Sequence, residues 1–475
     1  MSAGSEFPVC REVEIADPLA AARPLADLPY PFLLHSALEG ERSRWSFFGA
    51  EPFAVFRGAD YADAIALWRR LSAGRPARQA TPAAAPFTGG VVGYWAYDFG
   101  RRLERLPSRA RDDLKLPDAF LGFYDVVGAC DHRTGRSWLF SSGLPLEGRA
   151  RRARAEQRLG RFRRRLDAPR DLLRPQPPQG RGGPPVACTF DRDGYRRAVD
   201  RVREHIRAGD LFQANLSQRW SCSVEPAAPG ERALALAAAL AACSPAPYAA
   251  FLAADDHAIA CASPERFLEL RGRRVETRPI KGTRPRSLDP AEDRRLAAEL
   301  LASGKDRAEN VMIVDVLRND LGRVSETGSI RVTGLCELET FPQVHHLTST
   351  VTGSLRSGLD AFDLLHACFP GGSISGAPKI RAMEVLDALE PVRRHVYTGS
   401  LGYVDWRGDA DWNIAIRTAT VTPDAVHFAA GGGITADSDP EQEYLETLDK
   451  AEGIRRAVEQ VIGRLALDPA LAEVG

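Results

Sequence analysis

Strand-like and helix-like runs follow one another along this sequence in an irregular order, which limits the folds open to it. Residues 32–34, 45–48, 53–57 and 89–97 are rich in aromatic and β-branched side chains, as strands are. A parallel sheet needs a regular succession of strand, helix and strand, which this chain lacks. The order therefore predicts an α+β fold with antiparallel sheets.

The later part of the chain shows the same mixture. A helix is predicted over residues 191–208, with Asp191 at its N-cap, and a last helix over residues 440–465. Strands are predicted over residues 398–406, 413–421 and 425–430.

Proline and glycine are concentrated between Arg174 and Pro185, where they exclude a helix or a central strand. We therefore expect an N-terminal region over residues 1–170, a linker over residues 171–187 and a larger region over residues 188–468.

Charge and cysteine content exclude several classes of protein. The chain has 63 basic and 63 acidic residues, so it lacks the net positive charge that nucleic acid and anionic membranes attract. Eight scattered cysteines without a CxxC pair are typical of reduced thiols in the cytoplasm, where we expect this protein. The first eleven residues do not resemble a signal peptide, and the alanine-rich run at residues 233–243 is better read as a buried helix than as a membrane span.

Lysine is scarce in this chain, because almost every basic residue is arginine. Arginine cannot lose its proton and cannot act as a nucleophile, so a lysine in such a chain favours a site that needs an amine, whereas Lys115 is interpreted as a chance surface lysine. Lys281 follows a predicted strand within Pro279–Pro285, at a strand end where sites are built. An ordinary strand-end lysine is the alternative. The lysines are Lys115, Lys281, Lys305, Lys379 and Lys450.

Carboxylates gather on two predicted helices. Glu309 lies on one of them, and Glu443, Glu446 and Lys450 share one face of the last helix. Carboxylates with few His or Cys residues nearby suit a hard cation such as Mg²⁺. The alternative is a solvated face laced with salt bridges.

Two glycine-rich segments are candidates for binding anionic groups. The backbone N–H groups of Gly431, Gly432 and Gly433 could approach a ligand carboxylate closely, or these residues could form a simple turn. Residues 369–380 lead into a helix that has Pro378 near its start, where anions are attracted, or they form a capping loop.

These patches lie in segments that resemble the chorismate-binding enzymes, a family of anthranilate, aminodeoxychorismate, isochorismate and salicylate synthases. The segments keep the family's order and cover most of residues 188–465, and the resemblance implies two antiparallel sheets packed face to face with helices outside, as in anthranilate synthase component I. The matching segments are LFQANLSQ (211–218), SPERF (263–267), PIKGTRPR (279–286), DRAENVMIVDVLRNDLGRV (306–324), VHHLTSTVTG (344–353), FPGGSISGAPK (369–379), NIAIRTA (413–419) and GGGITADSDPEQEYLETLDKA (431–451).

The resemblance also implies roles for individual residues. Glu309 and Glu446 would hold Mg²⁺, with Glu443 close by, and the cation would bind the ring carboxylate of chorismate. The catalytic residues would be Lys281, Glu265 and His346, and the substrate-binding residues would be Gly282, Thr283, Tyr397, Arg417, Gly431, Gly432, Gly433 and Lys450.

Two positions bear on the nucleophile. Isochorismate and salicylate synthases usually carry Lys where this chain has Gln213. Gln213 therefore argues against water as the nucleophile. Anthranilate synthases usually carry Ala at the position of Lys281, whereas aminodeoxychorismate synthases carry Lys. The resemblance therefore implies amination of chorismate at C4, through a covalent lysine intermediate, on the route to 4-aminobenzoate and folate. A separate glutamine amidotransferase would deliver the ammonia.

Two other functions remain open from the sequence. One is anthranilate synthase component I, which forms anthranilate and pyruvate. The other is a non-catalytic subunit that binds chorismate or tryptophan, which the presence of Glu309 and Glu446 argues against. Residues 33–40 resemble the segment where anthranilate synthases bind tryptophan, but His35 stands where those enzymes usually carry Glu, which argues against inhibition by tryptophan.

Overall fold

The computed structural model describes residues 8–38, 40, 43–73, 84–168 and 185–465. Its strands are β1 (Val9–Val13), β2 (Phe32–His35), β3 (Trp45–Gly49), β4 (Ala54–Arg57), β5 (Gly90–Trp95), β6 (Ala119–Tyr124), β7 (Val126–Asp131), β8 (Arg136–Ser141), β9 (Val186–Cys188), β10 (Gln213–Ser223), β11 (Tyr248–Ala253), β12 (Ala258–Ser263), β13 (Arg266–Arg271), β14 (Arg274–Thr277), β15 (Ile280–Pro285), β16 (Arg331–Thr340), β17 (Val344–Ser354), β18 (Gly376–Ala377), β19 (Ser400–Asp405), β20 (Ala410–Asn413), β21 (Thr418–Val421) and β22 (Ala425–Ile434).

The α-helices cover the faces and ends of these strands. They are α1 (Pro18–Ala22), α2 (Tyr61–Ser72), α3 (Gly100–Leu103), α4 (Gly148–Leu166), α5 (Arg192–Arg207), α6 (Pro229–Cys243), α7 (Pro290–Ala302), α8 (Gly304–Gly322), α9 (Ala361–Cys368), α10 (Gly372–Ser375), α11 (Lys379–Leu389) and α12 (Pro440–Ile462). The described part of the chain contains no helix that is both long enough and apolar enough to span a bilayer.

The strands form two large antiparallel sheets. The first has the order β1-β8-β7-β3-β2-β11-β12-β21-β22-β10-β18, with β9 also paired to β10. The second has the order β15-β17-β14-β13-β20-β19-β5-β6-β4, with β16 also paired to β17. The predicted α+β class with antiparallel sheets is therefore confirmed.

The two sheets pack face to face through an aromatic core. Phe47 of the first sheet meets Tyr403 of the second edge to face, with ring centroids 5.6 Å apart, and Phe32 meets Tyr124 in the same way at 4.6 Å. Such edge-to-face pairs bury large apolar rings in a favoured geometry. Separate apolar clusters lie on the outer faces, where α6 and α12 cover the first sheet and α2 and α9 cover the second. The result is the predicted arrangement of two sheets with helices outside.

Both sheets combine strands from the beginning and the end of the chain. In the first sheet β2 pairs with β11, and in the second β5 pairs with β19. The N-terminal and C-terminal regions therefore share both sheets and the core between them. The domain boundary stays a prediction, and residues 171–184 of the predicted linker lie outside the described residues.

Polar caps start the helices that carry candidate site residues. The predicted N-cap Asp191 accepts a hydrogen bond from the Gly194 backbone at 2.6 Å and starts α5. Asp439 accepts hydrogen bonds from two backbone N–H groups at the start of α12. Ser303 accepts one from the Asp306 backbone N–H at the start of α8. These caps satisfy N–H groups that have no partner inside the helix and fix where each helix begins.

One predicted strand was wrong. Residues 413–421 were expected to form one strand, but β20 ends at Asn413 in the second sheet and β21 begins at Thr418 in the first. The chain crosses between the sheets here, and Arg417 has a φ of 50°, in the left-handed region. The apolar pattern continues through the crossing because residues on both sides of it are buried, so alternation alone could not reveal the break.

Candidate functional site

A stripe of three glycines lies within a strand, against the alternative of a simple turn. Gly431, Gly432 and Gly433 belong to β22 and oppose Ser217, Leu216 and Asn215 of β10. Successive residues of a strand point to opposite faces. The stripe therefore leaves room for other side chains on both faces of the sheet, at the position where candidate site residues converge.

Lys281 reaches one face of this stripe from β15. A Cβ atom placed on Gly433 would lie 2.1 Å from Gln213 Nε2 and 3.6 Å from Lys281 Nζ, so both side chains use the room that the glycine leaves. Burial lowers the pKa of Lys281, while the nearby carboxylates of Glu309 and Glu265 act in the opposite direction. A lowered pKa raises the fraction of neutral amine, the form that attacks an electrophile.

Glu265 is a buried carboxyl group between β12 and β13. Burial raises its pKa to about 7, against a hydrogen bond from Ser373 and the positive charge of Lys281. A carboxyl group with that pKa is half protonated near neutral pH and can donate a proton. Ser373, whose hydrogen bond lowers the pKa of Glu265, belongs to the predicted glycine-rich segment 369–380. This segment therefore contributes a hydrogen-bond donor to the site.

Three carboxylates lie around the opposite face of the glycine stripe. Glu443 and Glu446 of α12 lie beside Gly432, and Glu309 lies on α8. Burial raises the pKa of Glu309 and of Glu443, and the like charge of Glu446 acts on both in the same direction. Glu446 is 47% exposed and its carboxylate is 2.6 Å from the Lys450 ammonium, whose charge lowers the pKa of Glu446 against the effect of burial. Lys450 also donates to the Gly431 carbonyl at 3.0 Å, which ties the last helix to β22.

The donor chemistry of these carboxylates suits a hard cation. Glu443 accepts from Ser438 through Oε1, but its Oε2 is buried without a hydrogen-bond partner, beside the position that a Cβ on Gly432 would occupy. A buried carboxylate oxygen without a donor is costly unless a cation or a donor meets it. Within the described ranges no group of three or more His, Cys, Asp or Glu side chains is arranged to hold a metal ion, so the predicted set Glu309, Glu443 and Glu446 is not gathered into one cluster.

A second group lies where β15 pairs with β17. Thr283 Oγ1 and His346 Nδ1 are 2.8 Å apart, and the Phe341 ring packs edge to face against His346. Burial lowers the pKa of His346 to about 3, and the positive charge of Arg417 acts in the same direction, so the imidazole is neutral at neutral pH. His346 and Arg417 line a shared cavity of about 20 Å³.

Arg417 is held near this cavity without a carboxylate partner among the described residues. It donates to Ser244 Oγ at 3.3 Å, and burial lowers its pKa. A partly buried guanidinium with no acidic neighbour is suited to a carboxylate supplied by a ligand.

The structure also shows the surroundings of Gly282 and Tyr397, two of the predicted substrate-binding residues. Gly282 has a φ of 86°, and a Cβ there would lie 2.9 Å from Asp306 and Leu300, so glycine is required at this bend in β15. Tyr397 lines a different cavity of about 20 Å³ with Ser217 and Arg394, and its contact with the Arg417 group stays a prediction.

A further cavity is separate from all of these residues. It measures about 680 Å³ and lies between the sheets, lined by aromatic side chains and by four arginines with acidic partners. His35, from the segment that resembles a tryptophan site, is part of its wall and contacts Ser46 at 3.0 Å. Sequence patterns did not indicate the other wall residues, because these come from strands far apart along the chain. Those that carry charge are Arg44, Arg266, Glu269, Arg271, Arg407, Asp409 and Asp411.

Comparison with known proteins decides the family. The profile of the chorismate binding enzymes matches residues 30–456. This chain belongs to the chorismate-binding enzyme family. It is 39% identical to aminodeoxychorismate synthase component 1 of Klebsiella aerogenes, over 92% of this chain and 95% of that protein. It is also 41% identical to anthranilate synthase component 1 of Thermus thermophilus, over 94% of this chain and 96% of that protein.

A solved structure confirms the fold of this enzyme. This chain superposes on the structure of anthranilate synthase component I from Streptococcus pneumoniae with a TM-score of 0.75 and 31% sequence identity. The match covers 88% of this chain and 93% of the other. Relatives of two activities are equally similar, so the family is established while the particular reaction depends on the site.

Alanine at Gly433 tests whether the glycine stripe serves the site. A Cβ there would lie 2.1 Å from Gln213 Nε2 and force the Gln213 side chain to move beside Lys281. We expect Gly433→Ala to slow chorismate consumption by about 100-fold, the cost of a misplacement of about 1 Å, while the variant stays folded by circular dichroism. Gly160→Ala is the control, because its new methyl meets only Arg164 at 3.6 Å on α4. A normal rate for Gly433→Ala would separate the stripe from the chemistry.

Proposed function

We propose that this enzyme replaces the 4-hydroxyl of chorismate with an amino group and releases 4-amino-4-deoxychorismate. The observation that carries the proposal is the position of Lys281, whose amine lies beside Gly433 and Gln213 and near the Glu265 carboxyl group. Family members that use water as the nucleophile usually have a lysine at the position of Gln213. In this chain that position holds a neutral amide.

Lys281 is suited to attack C2 of the ring. Its neutral amine forms a bond to C2, the two ring double bonds shift, and the C4–oxygen bond breaks. Glu265 gives the leaving hydroxyl its proton, so water departs and Glu265 becomes a carboxylate. Division of one displacement into two steps through a covalent intermediate is the general advantage of such a nucleophile.

Ammonia completes the reaction in a second step. It adds at C4, the double bonds shift back, and the C2–nitrogen bond to Lys281 breaks. The proton that the new ammonium loses returns to Glu265, so both side chains finish as they began. The net change exchanges one ammonia for one water.

Cationic groups are available for the two carboxylates of chorismate. Arg417, which has no acidic partner among the described side chains, would hold the enolpyruvyl carboxylate with Tyr397. The ring carboxylate would lie at the glycine stripe near Lys450. Glu309 and Glu446, with the partnerless Glu443 Oε2 beside them, would hold Mg²⁺ there. A bound Mg²⁺ supplies charge that offsets and orients the carboxylate.

The ammonia would come from a separate glutamine amidotransferase. The relatives named component 1 are by that name parts of larger assemblies. With that supply the product would feed the formation of 4-aminobenzoate and folate.

Anthranilate synthase is the second candidate function, because relatives with that name are 39–43% identical to this chain. A mass-resolved product assay with chorismate, Mg²⁺ and excess ammonium distinguishes the two. We expect aminodeoxychorismate, which an added lyase converts to 4-aminobenzoate. Anthranilate with pyruvate would overturn the proposal.

Replacement of Lys281 tests its role as the nucleophile directly. Lys281→Ala is expected to lose the covalent adduct, which intact-protein mass spectrometry detects after an acid quench, and to lower ammonia-dependent amination by at least about 100-fold. Lys115→Ala is the matched control, since it removes another lysine, which is exposed and lies before β6. Full output of aminodeoxychorismate from Lys281→Ala would remove Lys281 from the role of nucleophile.

The pH dependence follows from Glu265. A general acid works in its protonated form, and the pKa of Glu265 is raised to about 7. We therefore expect kcat/KM to fall about tenfold per pH unit above about pH 7. Glu265→Gln should lose this limb together with a factor of about 100–10,000 in rate, while Glu156→Gln on α4 keeps both. A limb that persists in Glu265→Gln would assign it to another group.

The metal proposal is tested by titration. Glu446→Gln removes a charge from the proposed Mg²⁺ site, so the Mg²⁺ concentration for half-maximal activity should rise by at least about tenfold. Binding of Mg²⁺ measured calorimetrically without chorismate gives a second readout. Asp449→Asn, at an exposed position of the same helix, is the control. An unchanged Mg²⁺ titration would exclude Glu446 as a ligand.

A further inference from the structure

Arg394, just after α11, is a buried guanidinium whose five N–H groups all have acceptors. Its Nε donates to Glu390 Oε2 at 2.8 Å, and Nη2 donates to Glu390 Oε1 at 2.6 Å and to the Asn215 carbonyl. Nη1 donates to the Ile374 carbonyl at 3.0 Å and to Thr398 Oγ1 at 3.3 Å. The residue is 6% exposed, and its guanidinium lies over the Tyr97 ring at 4.5 Å.

The partner carboxylate is equally engaged. Glu390 is 7% exposed, and its Oε1 also accepts from the Ser217 backbone at 3.0 Å and from Ser217 Oγ at 2.8 Å. A buried ion pair repays the cost of desolvation only when its geometry is good and its remaining donors and acceptors are met. This pair meets that condition and adds two bonds to β10.

The acceptors of Arg394 belong to three separate segments of the candidate site. Ile374 follows Ser373, the donor that lowers the pKa of Glu265. Asn215 lies on β10, which carries Gln213 and pairs with the glycine stripe. Thr398 follows Tyr397 and donates to its carbonyl at 2.6 Å.

We propose that Arg394 is a positioning residue that fixes Glu265, through Ser373, relative to the strand that carries Gln213 and faces Lys281. One planar guanidinium holds the Ile374 and Asn215 carbonyls in a single frame, so it sets the position of Ser373, which bonds the proton donor, relative to β10. The inference rests on the proposed function for the roles of Glu265 and Lys281, but it concerns a residue that touches neither.

Lysine cannot replace this residue. An ammonium offers three donors from one nitrogen, whereas the guanidinium presents five in a fixed plane. Arg394→Lys therefore keeps the charge opposite Glu390 and loses the simultaneous bonds to Ile374 and Asn215. Without them α10 can shift, and Ser373 loses its hydrogen bond to Glu265.

The test compares Arg394→Lys with Ser373→Ala and with the double variant. Because the Ser373 hydrogen bond lowers the pKa of Glu265, its loss should move the alkaline limb of kcat/KM to higher pH. We expect the same shift in both single variants, with no further shift in the double variant, and a fall in kcat of about 100-fold for Arg394→Lys. Arg158→Lys is the control, since Arg158 also forms a buried network, with Asp125 and Glu51, far from the site.

The outcomes separate positioning from stability. If Arg394→Lys only lowered the melting temperature, as Arg158→Lys should, and kept the pH limb of the wild type, the inference would be overturned. Additive shifts in the double variant would also overturn it. Should Arg394→Lys fail to fold, Glu390→Gln, which keeps an acceptor oxygen but not the charge, must show the same shift.

Product identity keeps this test distinct from the proposed function. A wild-type enzyme that formed anthranilate would refute C4 amination, while the comparison of the limbs would still decide the role of Arg394.

Discussion

The antiparallel pairing of β10 with β22 is the interaction on which the candidate site depends. Its register sets Gly433 opposite Asn215 and Gly431 opposite Ser217, so the glycine stripe opens next to Gln213. A slip of one residue would reverse the faces of every side chain on β22 relative to β10. Gly432 would then no longer leave room for Glu443, and Lys281 would face a different strand position.

That pairing is itself held from three directions. Lys450 bonds the Gly431 carbonyl from α12, Arg394 bonds the Asn215 carbonyl, and Glu390 bonds the Ser217 backbone. Each contact uses a main-chain group beside the stripe, where glycines offer no side chains for packing. The stripe therefore leaves room for the side chains of Gln213 and Glu443 and is kept rigid by charged neighbours.

The sequence predicted much of the architecture because local patterns carry it. The helix 191–208 and its cap, the last helix with its acidic face, and the α+β class all follow from periodicity and capping. Lys281 and the glycine stripe were candidates from the residues alone, the resemblance added Glu265, and the structure brings those three together.

What the sequence could not predict depends on contacts between distant segments. The switch of sheets at residues 414–417 has no signature in an apolar pattern that suits both sheets. Arg394 is one arginine among many, and its role depends on an acceptor 179 positions away. The large cavity near His35 is likewise built by strands that only the closed sheets bring together.

The shared sheets have a consequence for how this protein is made. β2 pairs with residues more than 200 positions further along the chain, and β5 with residues more than 300 positions further along. During synthesis the early strands therefore leave the ribosome long before their partners exist, with apolar faces and bare backbone edges. Contacts so distant in sequence form slowly. Neither sheet can close until almost the whole polypeptide has been released, so the nascent chain passes through a long interval in which chaperones compete with aggregation.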